Sequence, residues 1–151
     1  MNEETRSRAL RILEKRDVSR AMLLERLLKN GASETDAVEV ADWLCGLGAV
    51  DDRRFSELVV RHYAAKGYGP RRIREELHRR GISRELWEEA LAGLPETEDT
   101  VYALLCQKLR GTAGEARDLQ RAQGYLLRRG YSWEEIRAAM DRYRSENEET
   151  E

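Results

Sequence analysis

The chain is poor in the residues that cross-link, break or anchor a fold. Its 151 residues include two cysteines, two prolines and one phenylalanine. Cys45 and Cys106 have no second Cys or His at ligand spacing, which excludes a disulfide framework and a zinc site. Both lie in apolar helical runs and read as buried free thiols suited to a reducing cytosol. No apolar run approaches the roughly 20 residues that span a bilayer, and no signal-peptide pattern is present. A cytoplasmic location with no membrane partner is therefore expected. Enzyme motifs are absent as well: there is no Walker-type phosphate loop and no Rossmann fingerprint. Gly46-x-Gly48 lacks the third glycine and follows a helical pattern rather than a strand. His62 and His78 are the two histidines. Both sit in basic stretches without an identifiable nucleophile, where solvated or hydrogen-bonded roles suffice. The reading is a non-enzymatic chain with no cofactor and no metal.

What the sequence does contain is charge and a repeat. Charged residues make up 37% and apolar residues 40%, too apolar and periodic for disorder, yet highly charged for one compact domain. Many short units with thin cores give this balance. Arg, Glu, Leu and Ala dominate, so the fold class is all-α. A glycine recurs with similar neighbours in Leu27-Leu28-Lys29-Asn30-Gly31, Leu77-His78-Arg79-Arg80-Gly81 and Leu126-Leu127-Arg128-Arg129-Gly130, and a serine follows two residues later each time. A period near 50 residues signals stacked supersecondary units. Such arrays offer extended surfaces to macromolecules more often than closed pockets to small molecules.

Three tandem three-helix repeats are expected, over residues 5–48, 51–94 and 97–144, arranged as an elongated, curved array. In the first, Ser19 and Ser33 cap helices that end at Gly31 and Gly46. In the second, Asp52 is the expected N-cap, and Gly67-Tyr68-Gly69-Pro70 is a tight turn with Pro70 at the first helical position. In the third, Pro95 marks a linker, Gly111–Gly114 breaks the chain, and Ser132-Trp133-Glu134-Glu135 reads as a capping box. Residues 145–151, with four glutamates and no basic residue, read as an acidic disordered tail.

The net charge is only −2, but its distribution is uneven. Between Arg61 and Arg84, eight basic residues face two acidic ones. Lys29, Arg79, Arg80, Arg128 and Arg129 sit just before C-cap glycines, where a cation favours the helix dipole. Arg71 and Arg72 fall in a first helical turn, where the dipole opposes them. Pairing with Glu75 and Glu76 at i,i+4 contributes only about 0.2–0.5 kcal/mol in this orientation. Local rule violations of this kind mark functional sites. Tyr68, on a glycine-flanked turn among arginines, fits an interface anchor.

Asp51-Asp52-x-x-Phe55, Lys66-Gly67-Tyr68-Gly69-Pro70-Arg71-Arg72-Ile73-x-x-Glu76-Leu77 and Gly81-Ile82 resemble the central signature of the bacterial RecX regulatory proteins. Ala9-Leu10 through Leu23, and Tyr125-Leu126-x-Arg128-Arg129-Gly130-Tyr131-Ser132, extend the resemblance to both sides. Gly124 within the third middle helix, the glycine-broken loop of residues 108–118 and the acidic tail depart from it. The resemblance implies a monomeric regulator that binds the RecA recombinase filament on single-stranded DNA. It implies inhibition or modulation of ATP turnover, strand exchange and co-protease activity, with weak non-specific DNA binding. The expected partner-binding residues are Arg61, Lys66, Tyr68, Arg71, Arg72, Arg74, Arg128 and Arg129. The alternative is a helix-turn-helix nucleic-acid-binding module, because a helix ending at Gly67 is followed by an Arg-rich one.

Overall fold

The computed structural model describes residues 1–149. Nine helices and no strand occur among them: α1 Glu3–Lys15, α2 Arg20–Lys29, α3 Glu34–Gly46, α4 Asp52–Ala65, α5 Pro70–Arg79, α6 Arg84–Ala92, α7 Glu98–Leu109, α8 Ala116–Arg128 and α9 Trp133–Glu149. The caps follow local chemistry. Ser19 Oγ accepts from the Met22 N–H at 3.1 Å, and Ser33 Oγ accepts from Asp36 at 3.1 Å. Ser132 and Glu135 exchange the two bonds of a capping box, at 3.1 and 2.9 Å. At α4 the cap is Asp51, whose carboxylate accepts from the Arg54 N–H at 3.2 Å. Asp52, expected there, instead accepts from the Arg20 N–H at 2.9 Å and so caps α2.

The chain divides into two compact units. One comprises Met1–Val59 with Glu76–Ala92; the other comprises Val60–Glu75 with the chain from Gly93 on. Both α4 and α5 thus contribute one part to each unit. In the first, Ala9, Val18, Leu23, Leu27, Ala37, Val40, Ala41, Leu44 and Val50 form the core, supplied by α1–α3 and the turns beside them. In the second, Val101, Leu105, Leu109, Ala122, Leu126, Tyr131, Ile136, Ala139 and Met140 form the core beneath α7, α8 and α9. Each core leucine contributes about 1.5–3 kcal/mol by leaving water. Cys45 and Cys106 are half-buried free thiols rather than fully buried ones. Desolvation raises the Cys45 pKa above its ordinary value, which favours the protonated thiol.

The acidic end departs from expectation. Helix α9 continues through Ser145 to Glu149, so residues 145–149 are helical and only 150 and 151 lie outside the described residues. The reason is anchoring: the Tyr102 hydroxyl of α7 donates to Glu146, and Arg142 reaches both Glu146 (3.3 Å) and Asp99 (3.1 Å). The Arg142 guanidinium also lies 3.8 Å from the Tyr102 ring centroid. No helix is long and apolar enough to cross a membrane among the described residues.

Candidate functional site

The recurring glycines end α2, α5 and α8, and in two of the three cases another helix begins against them. In the second unit, the first turn of α5 sits on the end of α8. The Gly69 N–H donates to the Arg129 carbonyl at 2.6 Å, and the Arg71 N–H donates to the Gly130 carbonyl at 3.1 Å. The Tyr131 hydroxyl donates to the Gly67 carbonyl at 2.7 Å, and the Arg129 guanidinium donates to the Lys66 carbonyl. A Cβ on Gly69 would lie 2.6 Å from the Gly130 carbonyl carbon, and one on Gly130 would lie 2.5 Å from the Arg72 backbone nitrogen. Neither position admits a side chain, and Gly130 also has φ +99°. In the first unit, α2 also starts against the end of α5, but through a side chain. The Ser19 hydroxyl donates to the Arg80 carbonyl at 2.5 Å, and a Cβ on Gly81 would overlap that of Ala21.

This contact changes the reading of Arg71 and Arg72. The first turns of α2 and α5 contain no acidic residue, whereas each of the other seven described helices carries at least one. The negative charge that an N-terminus favours is supplied from outside. At α5 it comes from the carbonyl end of α8; at α2 it comes from the Arg80 carbonyl and the Asp52 carboxylate. The first-turn arginines are therefore not an unrelieved clash with the dipole.

Tyr68, expected as an interface anchor, is packed among cations and a second ring. Its half-buried ring has the Arg129 guanidinium 4.0 Å from its centroid, Arg72 at 5.4 Å, and the Tyr63 ring edge-on at 5.6 Å. Arg129 lies 5.7 Å from the Tyr125 ring, which Lys108 covers at 4.3 Å. The sequence reading missed this ladder of rings and cations, although Tyr68–Arg72 and Tyr125–Arg129 share an i,i+4 spacing that signals it. Desolvation pushes the Tyr131 phenol up to about 12, partly offset by Arg129, so it remains a donor to Gly67.

Beside the ladder, Arg71, Arg72, Glu75, Leu127, Arg128 and Gly130 line a shallow groove. Of the expected site residues, Arg71, Arg72 and Arg128 meet in this groove. Tyr68 and Arg129 join behind it, and Lys66 enters through its carbonyl. Arg61, exposed on α4, and Arg74, half-buried on α5, are not part of the lining. Among the described residues, no group of His, Cys, Asp or Glu side chains is arranged to hold a metal.

The profile of the RecX second three-helix domain matches residues 51–91, and that of the third matches residues 96–140. The chain belongs to the RecX family. Regulatory protein RecX of Chromohalobacter salexigens is 33% identical over 136 residues, covering 89% of this chain and 90% of the relative. Regulatory protein RecX of Escherichia coli strain SE11 is 37% identical over 144 residues, 85% of each chain. The crystal structure of RecX from Lactobacillus salivarius superposes with a TM-score of 0.83 at 21% identity, over 92% of this chain and 94% of that one. The all-α RecX fold and its three-helix repeats are thus the architecture on which the groove is built.

Proposed function

We propose that this RecX protein is a monomeric, non-enzymatic regulator that binds the RecA filament on single-stranded DNA. It restrains ATP hydrolysis, strand exchange and co-protease activity from the cytoplasm. The observation that carries the reading is the groove in which two exposed guanidiniums, Arg71 and Arg128, flank Leu127 although 57 residues apart in sequence. Exposed arginines around an apolar floor suit a protein surface that offers carboxylates and an apolar side chain. RecA-dependent ATP hydrolysis on single-stranded DNA, measured with and without the protein, tests it. Unchanged hydrolysis at saturating protein would refute it.

The helix-turn-helix alternative is disfavoured by the docking of α5. A recognition helix presents its N-terminal residues to base edges. Here the N–H groups of Gly69 and Arg71 are already bonded to the end of α8, which occupies the space in front of that first turn.

A further inference from the structure

Helix α2 ends in a glycine turn built like those of α5 and α8. The Gly31 N–H bonds to the Leu28 carbonyl and the Ala32 N–H to the Leu27 carbonyl, both at 3.1 Å. The matching bonds are His78 with Gly81 and Leu77 with Ile82 in α5, and Leu127 with Gly130 and Leu126 with Tyr131 in α8. The surroundings differ. A Cβ on Gly31 would meet no heavy atom within 4 Å, whereas at Gly81 and Gly130 it would collide with a docked helix. The Asn30 carbonyl accepts from the half-buried side chain of Arg8, which also pairs with Glu4, where the Arg80 and Arg129 carbonyls accept from a helix start. Leu28, one turn back, is left 45% exposed, while Leu127, equally placed before Gly130, lines the groove with Arg71 and Arg72.

We propose that the Leu28–Gly31 end of α2 docks the N-terminal turn of a helix from a partner protein. The chain itself shows two such turns: α5 sets the Gly69 and Arg71 N–H groups on the Arg129 and Gly130 carbonyls, and α2 sets the Ser19 hydroxyl on the Arg80 carbonyl. The docked helix opens on Ser or Gly and carries Arg rather than Asp or Glu in its first turn, as α2 and α5 do. The physical reason is that the partner's free N–H groups and positive dipole end face the carbonyls of Asn30 and Gly31, which supply the negative charge. A second copy of this chain is a poor occupant. Its α2 and α5 starts are already engaged, and its other described helices begin with carboxylates that would face those carbonyls. The inference concerns residues of the first unit, not those of the Arg71–Arg128 groove, and stands without the RecA reading.

The test uses the full chain labelled with nitrogen-15 and a helix-stapled peptide copying Tyr68–Arg80. Saturable shifts are expected at the amides of Leu28, Asn30, Gly31 and Ala32. Leu28→Lys, at an exposed position, sets a like charge against the partner's first-turn Arg and is expected to weaken binding about tenfold or more. A peptide with Glu at both positions copied from Arg71 and Arg72 is expected to bind as weakly. Arg8→Gln, which uncovers the Asn30 carbonyl, is expected to bind at least as tightly as the unsubstituted chain. Unmoved amides at 28–32 would overturn the proposal, as would shifts centred on Arg129–Tyr131 alone. So would wild-type affinity in folded Leu28→Lys, or weaker binding by Arg8→Gln.

Discussion

The N–H of Gly69 meets the carbonyl of Arg129 at 2.6 Å, joining the start of one helix to the end of another 60 residues later in the chain. Three consequences follow from that bond and its neighbour between Arg71 and Gly130. The N-terminus of α5 acquires the negative end of α8 in place of an acidic first turn. Two otherwise distant runs, 66–72 and 127–131, become one surface. And the glycine at each side of the contact is required sterically, beyond the left-handed backbone of a helix C-cap.

Gly130→Ala and Gly31→Ala separate the two requirements. Both glycines have φ near +95°, at +99° and +94°, and a non-glycine residue there costs roughly 1–3 kcal/mol. Only at Gly130 does the new Cβ also collide with backbone, that of Arg72. Urea unfolding should show Gly130→Ala destabilised well beyond Gly31→Ala. Equal losses would mean that the approach of α5 to α8 is not tight.

The Tyr131 phenol provides a pH test of the same contact. Its folded pKa is raised from 10.0 to about 12, chiefly by desolvation. A raised acid favours folding fully below the unfolded value, and the benefit is lost as pH rises from 10 towards 12. The melting temperature should therefore fall across that window by more than in Tyr131→Phe. The variant, lacking the hydroxyl that donates to Gly67, should start about 1 kcal/mol lower at neutral pH.

Much of this was legible beforehand, and the reason lies in locality. The Gly31, Gly81 and Gly130 turns, the Ser19, Ser33 and Ser132 caps and the position of Pro70 depend on neighbours within five residues. The all-α class followed from them. What sequence could not supply was where a helix end points. Arg71 and Arg72 looked like a dipole violation because the carbonyls that satisfy their turn belong to residues 129 and 130. The guanidinium that covers Tyr68, that of Arg129, is equally distant. The same blindness made Asp52 look like the cap of its own helix and left residues 145–149 looking like a free tail, when Glu146 is held by Tyr102.

Arg128 and Arg129 looked alike in sequence and should now behave differently. Arg129 stacks on Tyr68 and donates to the Lys66 carbonyl, while Arg128 is exposed at the groove edge. Arg129→Gln should lower stability by about 1–2 kcal/mol. Arg128→Gln should stay within about 0.5 kcal/mol of the wild type. Thermal or urea unfolding of the two single variants decides it; equal losses would dissolve the distinction.

Binding to single-stranded DNA without RecA should be weak and strongly salt-dependent. The basic groove can neutralise a few phosphates, each releasing counterions. The rings of Tyr68 and Tyr125 are engaged by Arg129 and Lys108, and the groove lining contains no aromatic side chain for base stacking. Fluorescence anisotropy with oligo-dT across a salt series should give a shallow affinity that vanishes near physiological salt. Tight binding retained there would favour a dedicated nucleic-acid module.

Replacing Arg71 and Arg128 together by Gln tests the groove itself. Both side chains are exposed, and the docking bond at residue 71 is made by its backbone N–H, which the substitution keeps. The melting temperature should therefore hardly move. If the groove engages the RecA filament, loss of two interfacial arginines should weaken inhibition of RecA-dependent ATP hydrolysis at least tenfold, since such anchors carry about 2 kcal/mol each. Arg61→Gln, at a basic residue outside the groove, is the matched control and should inhibit nearly as well as the unchanged protein. A double variant that inhibits normally would move the RecA-binding surface away from this groove. If Arg61→Gln loses as much as the pair does, the requirement is for positive charge in general rather than for the geometry that the end of α8 imposes on α5.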